Sequence, residues 1–258
     1  MKKKTFHSKS KPTVESLHNK TEVLRLNKFI AHCGICSRRE AAELVKNGHI
    51  LLNGKIFTNP AYEVQEDDVV IYKEKILRLD SKGIYLLLNK PKNVITTMDD
   101  ERGRKTVFDL IRSEINARVY PVGRLDRNTT GLLLLTNDGD LAQKMSHPSH
   151  KIKKIYHVTL SKPVSKRDLE NIMNGVQLED GIAEVDGVDY ANNKKNEIGI
   201  EIHVGKNRIV RRIFEHLGYE VEKLDRVYYA GLTKKNIPRG KFRALTDKEI
   251  IQLKHLKH

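Results

Sequence analysis

Two unbroken apolar runs, IYLLLN at 84–89 and GLLLLT at 131–136, constrain this chain more than any other feature. Neither approaches the roughly 18 residues of a membrane-spanning helix. Neither alternates with polar residues, as a strand with one wet face would. Each therefore predicts a central strand covered on both sides. EIGIEIHV at 197–204 has the complementary pattern, with Ile198, Ile200, Ile202 and Val204 on one face of a half-buried strand. The region 84–246 is expected to form one mixed α/β domain around a largely antiparallel sheet, giving an α+β chain overall.

Helices in this region are bounded by local signals. The turn Asn137-Asp138-Gly139 ends the leucine run, and DLAQKM then starts a helix with Asp140 as the expected N-cap. In GKNRIVRRIFEHLG, Ile209, Val210, Ile213, Phe214 and Leu217 make an apolar stripe closed by Gly218. Arg208, Arg211, Arg212 and Glu215 are left on the opposite face.

Upstream, the segment from Glu22 reads as helix, helix, hairpin. Ser37 and Glu40 have capping-box spacing, Ala41, Leu44 and Val45 form an apolar stripe, and Gly48 stands where a helix ends. Asn53-Gly54 is a type I′ hairpin signal, and VVIY from Val69 supplies a further strand. Residues 21–80 are expected to be a small domain, joined to the larger one through the polar stretch KEKILRLDSKG. Residues 1–20, with six lysines and one glutamate, are expected to be a mobile basic arm, and 247–258 a basic tail.

Charge narrows the partners. Forty-eight Lys and Arg against 33 Asp and Glu give a net +15 and a pI near 9.6. That balance favours an extended polyanion, nucleic acid ahead of an anionic membrane surface. The N-terminus lacks the apolar stretch of a signal peptide, so a cytoplasmic protein is expected. Arg25, Lys28, Arg38 and Arg39 gather where two helices meet, which suits phosphates or makes a solvated basic face. Cys33 and Cys36 have redox or half-zinc-site spacing, but no second cysteine pair or finger-spaced histidines accompany them. Two small packed residues are the simpler reading.

Asp126 stands between Arg124 and Arg127 at the edge of the leucine run. Spacing alone leaves it either a surface salt-bridge acid or a carboxylate held ionised in an apolar pocket by the arginine helix. Tyr156 shares a strand face with Val158 and Leu160, where an aromatic can be core or a stacking platform.

RLNKFIAHCGICSRREAAELVKNGHILLNG resembles the S-four RNA-binding module, with Cys33 and Cys36 at positions where that module carries small residues. PVGRLDRNTTGLLLLTNDGDLA resembles the signature of the RsuA/RluB family of pseudouridine synthases. The likeness continues through NKPKNVITT, KKIYHVTL, GKNRIVRRIFEHLGYEV and LDRVYYAGL, so it covers nearly all the chain beyond the basic arm.

It implies that Asp126 is the essential carboxylate, that Tyr156 stacks on the target base and that Arg211 pairs with Asp126. The implied reaction turns a uridine into its carbon-linked isomer, which needs no redox step, cofactor or metal. RNA or pocket-rim contacts are expected at Arg25, Lys28, Ser37, Arg38, Arg39, Asn53, Gly54, Arg124, Arg127, Lys154, Asn207, Arg208 and Arg212. The expected partner of this presumed monomer is structured ribosomal RNA, 23S by the closer likeness to RluB. A 16S substrate or a catalytically silent ribosome-assembly factor are the alternatives. A glycosidase would show two cooperating carboxylates. Asn128 and Thr130 stand where relatives often carry acids, which bears on substrate choice.

Overall fold

The computed structural model describes residues 24–79 and 83–256; the expected basic arm lies outside them. The chain divides into two compact units between Arg78 and Leu79.

In the first unit, α1 (Leu26–His32) and α2 (Arg38–Lys46) precede four short strands, β1 (Ile50–Leu52), β2 (Lys55–Ile56), β3 (Val70–Tyr72) and β4 (Lys75–Ile76), paired antiparallel in the order β2-β1-β3-β4. Local chemistry sets each boundary. The Glu40 amide donates to Ser37 Oγ at 3.2 Å, and the Ser37 amide donates to the Glu40 carboxylate at 2.7 Å, completing the capping box. Asn53 and Gly54 both have positive φ, 51° and 79°, as a type I′ turn requires. Leu26, Ile30, Ala41, Val45 and Ile50 are fully buried in the core. Cys33 and Cys36 pack against it half-buried, and burial pushes the Cys33 thiol up to about 12, away from thiolate chemistry.

The second unit contains β5 (Tyr85–Lys90), β6 (Tyr120–Pro121), β7 (Thr130–Thr136), α3 (Gly139–Ser146), β8 (Lys154–Leu160), α4 (Lys166–Met173), β9 (Val176–Leu178), β10 (Gly181–Ala183), β11 (Gly187–Ala191), β12 (Lys194–Ile202), α5 (Ile209–His216), β13 (Val221–Tyr229), β14 (Leu232–Thr233), β15 (Phe242–Ala244) and α6 (Asp247–Lys254). Its main sheet runs β11-β12-β8-β13-β7-β5-β15, and every pairing along it is antiparallel except β13 with β7.

The leucine run has a direct explanation. Leu133 and Leu135 enter a core shared with α4 and α5, while Leu132 and Leu134 enter a second core shared with α3 and α6. Both faces of β7 are covered along the leucine run, which is why all four of those positions are apolar. Gly131 has φ +106°, and a Cβ there would lie 2.3 Å from the Arg226 carbonyl oxygen and 2.6 Å from its nitrogen. The glycine therefore permits the close approach of β13 rather than a chain reversal.

Two boundaries differ from expectation. α3 is capped by Asp138, not Asp140: Asp138 accepts from the Leu141 amide at 2.9 Å and from the Tyr85 hydroxyl at 2.7 Å. Tyr85 is 53 positions away in sequence, and this long-range bond fixes the carboxylate that caps. The stretch expected as a basic tail holds α6, which has a Thr246–Glu249 capping box and a fully buried Leu253. Ile250 and Leu253 supply an apolar edge at helical spacing, and that burial holds the segment on the second core.

Candidate active site

An open cleft enclosing about 170 Å³ lies in the second unit, lined among others by Arg124, Leu125, Asp126, Lys154, Tyr156, Arg208, Val210, Leu224, Arg226 and Tyr229. Asp126 sits half-buried on the loop entering β7. One upstream segment fastens that loop. Thr96 Oγ1 donates to the Leu125 carbonyl at 2.7 Å and accepts from its amide at 3.2 Å, and the Asn93 amide donates to the Arg127 carbonyl at 2.9 Å. The Thr129 amide donates to the Asp126 carbonyl at 3.0 Å, closing the turn.

Beneath this loop lies Lys90, fully buried, whose ammonium donates to the Val94 carbonyl at 2.7 Å and the Pro91 carbonyl at 3.1 Å. Burial draws its pKa down to about 8 against the pull of the Asp126 charge. Sequence reasoning missed Lys90; its one signal was a lysine at the end of an otherwise apolar run.

Tyr156 is a core residue that also faces the cleft. It is 8% exposed within the core that holds Val158 and Leu160, and it also forms part of the cleft wall. Across the sheet its register partner is Arg226. The four leucines of β7 do not line the cleft; its aliphatic lining comes from Val122, Leu125, Met145, Ile202, Val204, Ile209, Val210 and Leu224.

Arg211 is not the exposed partner that helical spacing suggested. It is 7% exposed, and its Nη1 donates to the Val221 carbonyl at 2.8 Å. Asp126 forms no ion pair among the described residues, although its charge and that of Arg211 are within electrostatic reach. The geometry of α5 explains the difference. At roughly 100° per residue, position 211 borders the apolar arc beside Phe214, and a helix packed this widely buries its border. Arg208 and Arg212 are engaged on the outer side, with Glu215 at 3.1 Å and with Asp180 at 2.5 Å respectively.

A family model described as RNA pseudouridylate synthase matches residues 84–216, and an S4 domain model matches residues 24–70. The chain is 41% identical over 237 residues to ribosomal large subunit pseudouridine synthase B of Bacillus subtilis (strain 168), covering 90% of this chain and 96% of that protein. The chain belongs to the RNA pseudouridylate synthase family. It is also 36% identical to the dual-specificity RNA pseudouridine synthase RluF of Escherichia coli (strain K12), over 89% of this chain and 78% of that one. A crystal structure of a pseudouridylate synthase superposes with TM-score 0.64 at 28% identity, covering 89% of this chain and 99% of the other. The S4 module and the mixed-sheet synthase domain are thus both present, as the sequence led one to expect.

For a synthase of this family, the remaining expected RNA contacts fall into two groups. Arg38, Arg39, Gly54, Arg124, Arg127, Asn207 and Arg208 are exposed and Arg25 stands exposed at the N-cap of α1, with Lys28 half-buried on that helix. Others have side chains already committed to the fold. Ser37 Oγ is the α2 cap, and the Asn53 amide bridges Asp68 and Val69 at 2.8 Å each. Lys154 Nζ donates to the His203 carbonyl at 2.6 Å, holding the loop between β12 and α5 at the cleft edge. Polar types at turns and caps look the same in sequence whether they face RNA or their own backbone.

Thr130 donates to the Asp225 carboxylate at 3.0 Å, and Arg239 grips that carboxylate with two nitrogens at 3.0 and 3.1 Å while Lys234 pairs with it as well. An acid at 130 would meet Asp225 head-on, so threonine here fits its surroundings.

Proposed function

We propose that this synthase isomerises a specific uridine of ribosomal RNA, that of the large subunit, and that it does so as a cytoplasmic monomer. One observation carries the substrate assignment: the likeness to the Bacillus large-subunit enzyme runs across nearly the full length of both chains, through both units. In this reading Asp126 is the essential carboxylate, Tyr156 is the platform for the turned-out base, and the S4 module grips structured RNA through phosphates.

The chemistry fits these types. Isomerisation breaks the N1–C1′ bond, turns the base, bonds C5 to C1′, and exchanges the C5 proton for one at N1. Atoms balance without any added reagent. A carboxylate at C1′ or at a ribose proton serves the first step, and the apolar part of the cleft wall helps to keep water from capturing the sugar. Arg211 acts on Asp126 through its charge from inside α5 rather than by direct pairing.

The test is to give the purified protein unmodified 23S and 16S transcripts and to map pseudouridine by carbodiimide-dependent primer-extension stops. The expected outcome is one new stop in the 23S transcript and none in the 16S. A stop only in 16S, or none in either, contradicts the assignment. Sedimentation with and without RNA checks the monomer.

A further inference from the structure

Arg226 is a buried cation that forms no ion pair among the described residues. It is 3% exposed, it lines the same cleft as Asp126, and its strand register sets it beside Tyr156. Its Nε donates to the Leu132 carbonyl at 2.7 Å, and its guanidinium lies 4.4 Å from the centre of the Tyr229 ring. Its Nη2 is buried with no hydrogen-bond partner among the described residues. These contacts hold the side chain in place, and neither of them is with a carboxylate.

Arg211 also holds a buried nitrogen with no hydrogen-bond partner among the described residues, its Nε, but it does not line the cleft and it feels the charge of Asp126. Lys90 donates to backbone carbonyls under the Asp126 loop, and Lys154 donates to the carbonyls of His203 and Val204. Lys154, on the same cleft wall, has its pKa drawn down to about 8, by burial first and then by the charge of Arg226. A buried charge that no carboxylate pairs is unfavourable, and an anion brought by a ligand or formed in a reaction would relieve that cost.

The reaction assigned above generates an anion at the base. When N1–C1′ breaks, the bonding pair leaves with the uracil ring and spreads over N1, O2 and O4. The ribose carbon is left electron-deficient, where the Asp126 carboxylate acts. The ring then gives an electron pair from C5 to C1′, C5 loses its proton, N1 gains one, and the product is a neutral isomer. A rigid guanidinium beside the stacking platform meets the negative charge only while the ring is detached, which is the condition for lowering a barrier rather than tightening binding.

We propose that Arg226 is a catalytic residue that stabilises the detached uracil anion. The inference rests on the isomerase reading and adds to it a residue for the base half of the reaction.

The test is single-turnover conversion of an RNA substrate by wild type, Arg226→Gln and Arg226→Lys, with RNA affinity measured alongside. A matched RNA carries 5-fluorouridine at the target, and cleavage of its glycosidic bond is followed. Loss of one such donor predicts a rate about 100-fold lower for Arg226→Gln, at an RNA affinity within about twofold of wild type. Arg226→Lys keeps the charge without the planar fork and recovers part of that rate. Fluorine already stabilises a negative ring, so on the fluorinated RNA the deficit of both variants shrinks to less than about tenfold.

Affinity falling in step with rate makes Arg226 a phosphate clamp and overturns the proposal. So does an equal deficit on both RNAs, the mark of a purely structural role, and so does a wild-type rate in either variant. Circular dichroism checks the fold; if Arg226→Gln does not fold, the same comparison of the two RNAs is read from Arg226→Lys. A wild-type protein that converts no uridine refutes the isomerase reading itself, which is a separate outcome.

Discussion

In the small unit Arg38 and Arg39 stand exposed at the first turn of α2, whereas in the larger unit Arg211 and Arg226 are less than a tenth exposed and tied to backbone carbonyls. The same residue type thus does two physical jobs. An exposed arginine keeps its hydration, acts at a distance that salt controls, and costs the fold little. A buried one gives up hydration, so it must be fixed in place and must do something that repays its position. Exposed charge suits a polyanionic partner at a distance, whereas buried charge is held where it can act on a single group.

The buried side of this comparison should be fragile. Gly131→Ala forces a Cβ into the Arg226 backbone at a positive φ, so a loss of at least about 3 kcal/mol in chemical denaturation, with parallel loss of turnover, is expected. A change under 1 kcal/mol would mean that β7 and β13 separate easily, and that Arg226 is less firmly set than described.

Arg211→Lys loses the planar fork that reaches the Val221 carbonyl, and a destabilisation of about 2 kcal/mol with a fall in turnover larger than the fall in RNA affinity is expected. Equal losses in turnover and affinity would move Arg211 to the exposed, phosphate-contacting class.

Acid sharpens the contrast further. Burial pushes the Asp225 carboxyl up, but the grip of Arg239 and Lys234 outweighs it and holds the group down at about 2 from an ordinary 3.8. Its folded pKa is depressed, so its contribution is fully present above about pH 4 and is lost as pH falls toward 2. Unfolding free energies of wild type and Asp225→Asn between pH 5 and pH 2.5 should converge by about 1.5 kcal/mol, since wild type alone loses most of that contribution. Parallel curves would contradict it.

The smallest effects belong to the small unit. Replacing Arg38 and Arg39 together by alanine should flatten the salt dependence of RNA binding by about 0.7 per lost phosphate contact on single strands while leaving the chemical step unchanged. Ser37→Ala should cost about 1 kcal/mol of that unit's stability through its cap.

Most of the small unit was legible in sequence because its signals are local: a capping box, a glycine stop and an Asn-Gly turn each act within a few residues. The apolar runs made the centre of the large sheet legible for the same reason. What escaped depends on partners far along the chain. Asp138 outcompetes Asp140 as a cap through Tyr85, and Arg226 takes its orientation from Leu132, 94 positions away, and from the ring of Tyr229. Arg211 was placed on the wrong side because a helical wheel marks the border of an apolar arc without saying how widely the helix will be covered. Asp126 itself was legible only through its surrounding motif, since an acid between two arginines describes many surface loops equally well.

In the proposed reaction Asp126, on a loop fastened by Thr96 and Asn93 above Lys90, drives conversion of uridine to pseudouridine. Tritium release measures this directly, because C5 of the base loses its hydrogen when it bonds to the ribose. With RNA labelled at C5 of its uridines, wild type should release tritium in a site-limited amount. Asp126→Asn should release at least about 1,000-fold more slowly while binding the RNA as wild type does. Release by Asp126→Asn at the wild-type rate would contradict the account.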